Sequence, residues 1–152
     1  MTIDGAVARE SLTDRSSTDC DETAGDSEPR HGVTVIVCSS CRHPGETDVS
    51  PRPGSLLAAD ARRAGENSEV SVRHVACLGN CKRGLSAAIL KPGAWSYVFG
   101  ELTTDSGADL IAGAELFARS ADGFMPFRAR PESLKRGLIA RIPNFDNLKD
   151  LP

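Results

Sequence analysis

A chain of 152 residues, 39% apolar and 26% charged, suits one small globular domain and excludes a multidomain enzyme. Its formal net charge of −3 is unevenly spread: Met1 to Arg30 holds eight acids and three bases, leaving 13 of the 21 acids and 15 of the 18 bases for the rest. The acidity belongs to a tail, and the remainder carries too small a positive excess to bind nucleic acid on charge alone.

Residues 1–31 contain almost no large apolar side chain, so they cannot offset about 1–2 kcal/mol of backbone ordering entropy per residue and are expected to be a disordered acidic tail. The tail has no basic start followed by an apolar stretch, and no run of about 18 apolar residues occurs anywhere. A cytoplasmic location without membrane attachment is therefore expected. In a reducing compartment, clustered cysteines point to metal or redox chemistry rather than to structural disulfides.

The domain begins at Gly32 and is expected to run to residue 122. "VTVIVC" is β-branched on both faces, as in a strand buried in the middle of a sheet. "RHPGETDVSPRPG" is a loop, and "SLLAADARRAG" reads as a helix with Ser55 as N-cap and Gly65 as its stop. "EVSVRHVA" alternates as a strand. "SAAILK" and "WSYVFGEL", joined by Pro92-Gly93, form a hairpin, with Trp95, Tyr97 and Phe99 on one face as packing residues. "SGADLIAGAELFARS" opens with Ser106 and Asp109 at capping-box spacing and carries Leu110, Ile111, Ala114 and Phe117 along one side. After Gly123 comes a basic segment, 123–152, in which Pro131 starts and Pro143 stops a short helix carrying Leu134, Leu138, Ile139 and Ile142. The order predicts a thioredoxin-like α/β sandwich: a four-stranded mixed sheet, two main helices and a C-terminal helical segment.

Five cysteines occur. Cys20 is alone in the tail; Cys38 pairs with Cys41 as C-x2-C, and Cys77 with Cys81 as C-x3-C, with 35 residues between the pairs. Both pairs follow strands. If those strands are parallel neighbours, as a right-handed crossover requires, all four thiols arrive at one end of the sheet. Four convergent thiolates repel one another unless a cation sits among them, so Cys38, Cys41, Cys77 and Cys81 are the candidate metal ligands. Gly79 supplies either a positive φ or an N–H for sulfur. His43 and His74 flank the pairs and are taken as support or surface, and His31 as solvated.

"CLGNC", Cys77 to Cys81, with the 35-residue gap and the strand order, resembles the thioredoxin-like 2Fe-2S ferredoxins over Gly32 to Arg119, although their first pair is spaced wider than Cys38 and Cys41. The whole chain is also similar to a family of small bacterial metal-binding proteins of unassigned function, which share the strand-C-x2-C start, "CLGNCKRG" and a basic C-terminal segment. The first resemblance implies a 2Fe-2S cluster on the four cysteines and single-electron exchange with a protein partner. The second implies metal binding, with a link to cobalamin and cobalt metabolism.

Two rivals stay open. A four-cysteine zinc or single-iron site would be structural or hand its metal on, but such sites favour domains too small to make a core. A dithiol oxidoreductase would use "CSSC", but a reactive thiol is activated at a helix N-terminus, here separated by the loop, and Cys77 and Cys81 would be left unexplained. No phosphate loop, nucleophile elbow or carboxylate pair is present, so an enzyme is not expected. Arg42, Lys82 and Arg83 would ring the site with cations that either offset the charge of the ligated centre or dock an acidic redox partner. Arg128, Arg130, Lys135, Arg136 and Arg141 crowd the C-terminal segment, as the solvated face of an amphipathic helix capping the domain or as a docking surface for such a partner.

Overall fold

The computed structural model describes residues 32–150; the tail, Cys20 and His31 lie outside them. In chain order the elements are β1 (Thr34–Cys38), α1 (Pro53–Ala64), β2 (Ser71–Val75), β3 (Leu85–Leu90), β4 (Ser96–Leu102), α2 (Gly107–Ala118), α3 (Glu132–Arg136) and β5 (Leu138–Ile142). They form one sheet of order β2-β1-β3-β4-β5. β1 and β2 are parallel and the remaining pairs antiparallel. A βαβ unit followed by a ββα unit, with the first strand between the second and third, is the thioredoxin-like arrangement.

One face of the sheet carries the core. Val35 and Val37 of β1, Ile89 of β3, and Tyr97 and Phe99 of β4 are buried with Leu57 and Ala61 of α1 and Leu110, Ala114 and Phe117 of α2. Each such large side chain contributes about 1.5–3 kcal/mol by leaving water. Tyr97 packs edge-on against Phe117 at 5.3 Å and accepts a hydrogen bond from Met125 N at 2.9 Å, so the aromatic strand face serves packing, as expected. The other face has no helix layer among the described residues. Thr34 and Ile36 are only half-buried there, so β1 lies mid-sheet but, contrary to expectation, is covered on one side.

The start of α1 and the capping of α2 differ from the sequence reading. α1 begins three residues earlier, at Pro53, with Arg52 rather than Ser55 as N-cap and no side-chain cap. Proline needs no hydrogen-bond acceptor at N1, and the Ser55 hydroxyl instead donates to Ser39 O at 3.1 Å. At α2, Ser106 occupies the N-cap position but makes no capping-box bond. So α2 starts where the sequence put it, and only its capping differs: the Ser106 hydroxyl accepts from Thr103 N at 3.0 Å, Asp109 accepts from the Ser133 hydroxyl, and the Gly107 amide is closed by Asp60 Oδ2 of α1, at 2.9 Å.

The sheet has five strands rather than four, and the expected C-terminal helix is split. α3 ends at Arg136, where Gly137 N donates to Ser133 O at 2.8 Å, and Gly100 N of β4 then donates to Gly137 O at 2.8 Å. That bond brings "LIARI" onto the β4 edge, where its β-branched residues complete a ladder and satisfy polar groups otherwise left bare. Leu134 of α3 remains fully buried. Four of the five basic residues named for this segment, Arg130, Lys135, Arg136 and Arg141, are engaged within the chain. The Arg130 guanidinium lies over Tyr97 and Phe127, Arg141 lies over Trp95 at 5.0 Å and Phe124 at 5.2 Å, and Lys135 and Arg136 pair with Glu132.

Candidate metal centre

Parallel pairing in the register Thr34↔Ser71 to Cys38↔Val75 ends β1 and β2 at the same edge. Cys38 is the last residue of β1, and Cys77 follows β2 by two residues. The two loops are stitched together just beyond. Ser39 N and Oγ donate to Val75 O at 2.9 and 3.0 Å, the Ser40 hydroxyl donates to Ala76 O, and Cys38 Sγ lies 3.6 Å from the same Ala76 O. Gly79 holds φ +74° and donates its N–H to Cys77 Sγ at 3.2 Å, so it provides both features read from the sequence. Cys81 opens a 3-10 turn, Cys81–Arg83.

The thiols stand as two pairs of different character. Cys38 and Cys41 are 2% and 3% exposed, whereas Cys77 and Cys81 face solvent. Within each pair the sulfurs interact directly, and Cys81 also feels the charge of Cys38. Burial alone would raise the Cys38 thiol, but hydrogen bonds from Cys41 and from Leu78 and Ser40 outweigh it and hold Cys38 below the ordinary thiol range. Cys41 is pushed up to about 12 by burial and then by its bond to Cys38 and the Cys38 charge, with Ser86 pulling it partly back. Cys81 is raised by its bond to Cys77 and by the Cys77 charge. Burial first at Cys41, and the bond to and charge of Cys77 at Cys81, thus favour the protonated thiols, the state a bound cation reverses. Among the described residues, no three His, Cys, Asp or Glu side chains converge around one ion-sized point.

Two supporting residues, Gly54 and Ser86, escaped the sequence reading. Gly54 presses the start of α1 onto the first cysteine loop: a Cβ there would overlap the Cys38 carbonyl oxygen and sit 2.9 Å from Cys41 N, and Gly54 N donates to Cys41 O at 3.0 Å. The helix N-terminus therefore reaches the loop despite the long insert. The insert bulges outward, tied by Asp48 to Arg42 at 2.9 Å and to Arg52 at 3.2 Å. Fully buried Ser86 of β3 lies beside Cys41 and accepts from Asn80 Nδ2 at 2.9 Å, linking the second loop to the sheet. Pro53-Gly54 was the available signal for the first; nothing local marks Ser86.

The expected cationic ring is partial, since Arg42 is spent on Asp48. Lys82 and Arg83 line a cavity of about 270 Å³ together with His43, Glu101 and Thr103. Arg83 lies 3.4 Å from Glu101, both half exposed, a geometry in which an ion pair contributes about 0–1 kcal/mol. Glu101 has φ +55°, a left-handed backbone that costs a side-chain-bearing residue about 1–2 kcal/mol. It sits in a bulge of β4 where Gly100 and Glu101 together oppose Ser86. His74 lines a separate cleft with Ser39, Ser55 and Arg62.

Two solved structures of a thioredoxin-like [2Fe-2S] ferredoxin from Aquifex aeolicus are similar in fold. One is 12% identical with a TM-score of 0.48, covering 73% of this chain and 93% of that one; the other, the wild type, is 14% identical with a TM-score of 0.45, covering 72% and 98%. No curated protein matches the chain. The family described as protein of unknown function, DUF1636, matches residues 35–144, a span that takes in both cysteine pairs and every strand from Val35 of β1 to β5. The chain belongs to that DUF1636 family.

Proposed function

We propose that the protein is a one-electron carrier whose Cys38, Cys41, Cys77 and Cys81 hold a 2Fe-2S cluster. The observation that carries this reading is the arrangement of four thiols as two close pairs on stitched loops at one end of the sheet. A two-iron centre takes two thiolates at each iron, and two pairs suit it better than they suit one tetrahedral ion, which needs all four around a single point. Such a cluster supplies reversible single-electron exchange. The chain's own residues do the rest. Gly54 and the Ser39 and Ser40 hydrogen bonds fix the buried pair, while the Leu78 and Gly79 N–H groups stabilise charge on Cys38 and Cys77 sulfur. The exposed pair places one side of the site within reach of a partner.

Anaerobically purified protein is expected to be red-brown, with about two irons and two labile sulfides per chain. Cys77→Ala or Cys81→Ala should remove the colour, and Cys20→Ala should leave it intact. A colourless protein with one zinc per chain would favour the second reading, a metal-binding module. That reading draws support from the exposure of Cys77 and Cys81, through which an ion could be passed to a client.

A further inference from the structure

We propose that the cavity beside Cys81 receives an acidic side chain of the protein with which the centre exchanges electrons, and that Glu101 occupies Arg83 until that carboxylate displaces it. This rests on the electron-carrier reading above. The cavity is contiguous with both cysteine loops, because His43 follows Cys41 by two residues and Lys82 adjoins Cys81. An occupant would therefore rest on residues that directly follow Cys41 and Cys81 in the chain.

Its lining favours one carboxylate. His43, Lys82 and Arg83 face it, Glu101 is the single acid in the wall, and Lys82 forms no ion pair among the described residues. Glu101 already shows what fits: a carboxylate, held at 3.4 Å from Arg83 Nη2. It is a poor structural choice there. Its left-handed φ asks for glycine, and a half-exposed ion pair does not repay the strain. A residue that breaks a local rule without a compensating gain in stability marks a functional position. Nucleic acid is the weaker occupant, because two cationic side chains, Lys82 and Arg83, around one cavity do not make the track of contacts that a phosphate backbone requires.

The test is a fluorescence-anisotropy titration of the full chain, as isolated, with labelled hexaglutamate at low ionic strength. Glu101→Gln keeps the side-chain shape while freeing Arg83, and should tighten binding by about fivefold; Lys82→Glu should weaken it by about tenfold or more. Glu69→Gln removes the same charge at the opposite end of β2, beside Gly32 and Glu115, and should change nothing. Equal gains from Glu101→Gln and Glu69→Gln would reduce the effect to net charge and overturn the proposal. Hexaglutamate binding untouched by Lys82→Glu would do the same, as would succinate or a single-stranded oligonucleotide displacing the peptide at lower concentration than unlabelled hexaglutamate. Iron content and visible absorbance, read on the same samples, separate the two readings. Red-brown protein without the Glu101 effect sinks the docking pocket alone, and colourless protein with it sinks the carrier assignment alone.

Discussion

Gly54 shows how much of the centre depends on one hydrogen atom. Replacing it with alanine forces the new methyl into the Cys38 carbonyl and the Cys41 amide, both backbone atoms that cannot step aside. Overpacking of this kind costs about 1–3 kcal/mol, so Gly54→Ala should lower both the melting temperature and the metal content per chain, whereas alanine at Gly45, which has open space around it, should leave metal content unchanged. Cys41 gives a second prediction. Its thiol is raised from about 9 to about 12 in the fold, so its contribution to the stability of metal-free protein is complete below pH 9 and is lost as the pH climbs toward 12. Thermal melts of metal-free protein should fall across that window, and Cys41→Ser should flatten the fall. The convergence of the two cysteine pairs at one end of the sheet was legible in the sequence because cysteine spacing and strand order are local signals. Gly54, Ser86 and Glu101 were not, because their roles arise from chain segments that meet only in the fold.

Among the elements, β5 and α3 bind the C-terminal segment to the domain by different means. Leu134 is fully buried over Gly113 of α2, and Leu134→Ala should cost about 2–5 kcal/mol, read by denaturant unfolding. Arg141 belongs to β5 and covers Trp95 and Phe124. Its truncation to alanine should cost nearer 0.5–1 kcal/mol and alter Trp95 fluorescence without changing metal content. The first four strands and two long helices were readable because Val, Ile and aromatic residues alternate in short runs and alanine-rich stretches fall between breakers. "LIARI" satisfied both a helical and a strand period over only five residues. What decided it was the open edge of β4 and the Gly100–Gly137 hydrogen bond, neither visible along the chain. The capping box failed for a related reason: Ser106 and Asp109 had better partners elsewhere.

For the whole molecule, charge is divided between a terminal segment and the domain. Deleting residues 1–30 takes the formal net charge from −3 to +2. Association with hexaglutamate should then quicken at low salt, in stopped-flow measurements, and the difference from full-length protein should fade as screening shortens to about 8 Å near 0.15 M ionic strength. Rates equal at every salt concentration would show that the segment's charge does not reach the cavity. Among the described residues no helix is long and apolar enough to cross a membrane.

The bond from Gly107 N to Asp60 Oδ2 has a bearing on how the chain folds. The first amide of α2 is closed by a carboxylate 47 residues earlier, on α1, so α2 is uncapped until α1 has docked. Asp60 lies inside α1, so this cap on α2 exists only while the two helices are packed together. Deuterium should therefore enter the Gly107 amide only when the pair separates, at the same opening free energy as core amides of β1 and β3. In Asp60→Ala it should enter early, by fraying of α2 alone.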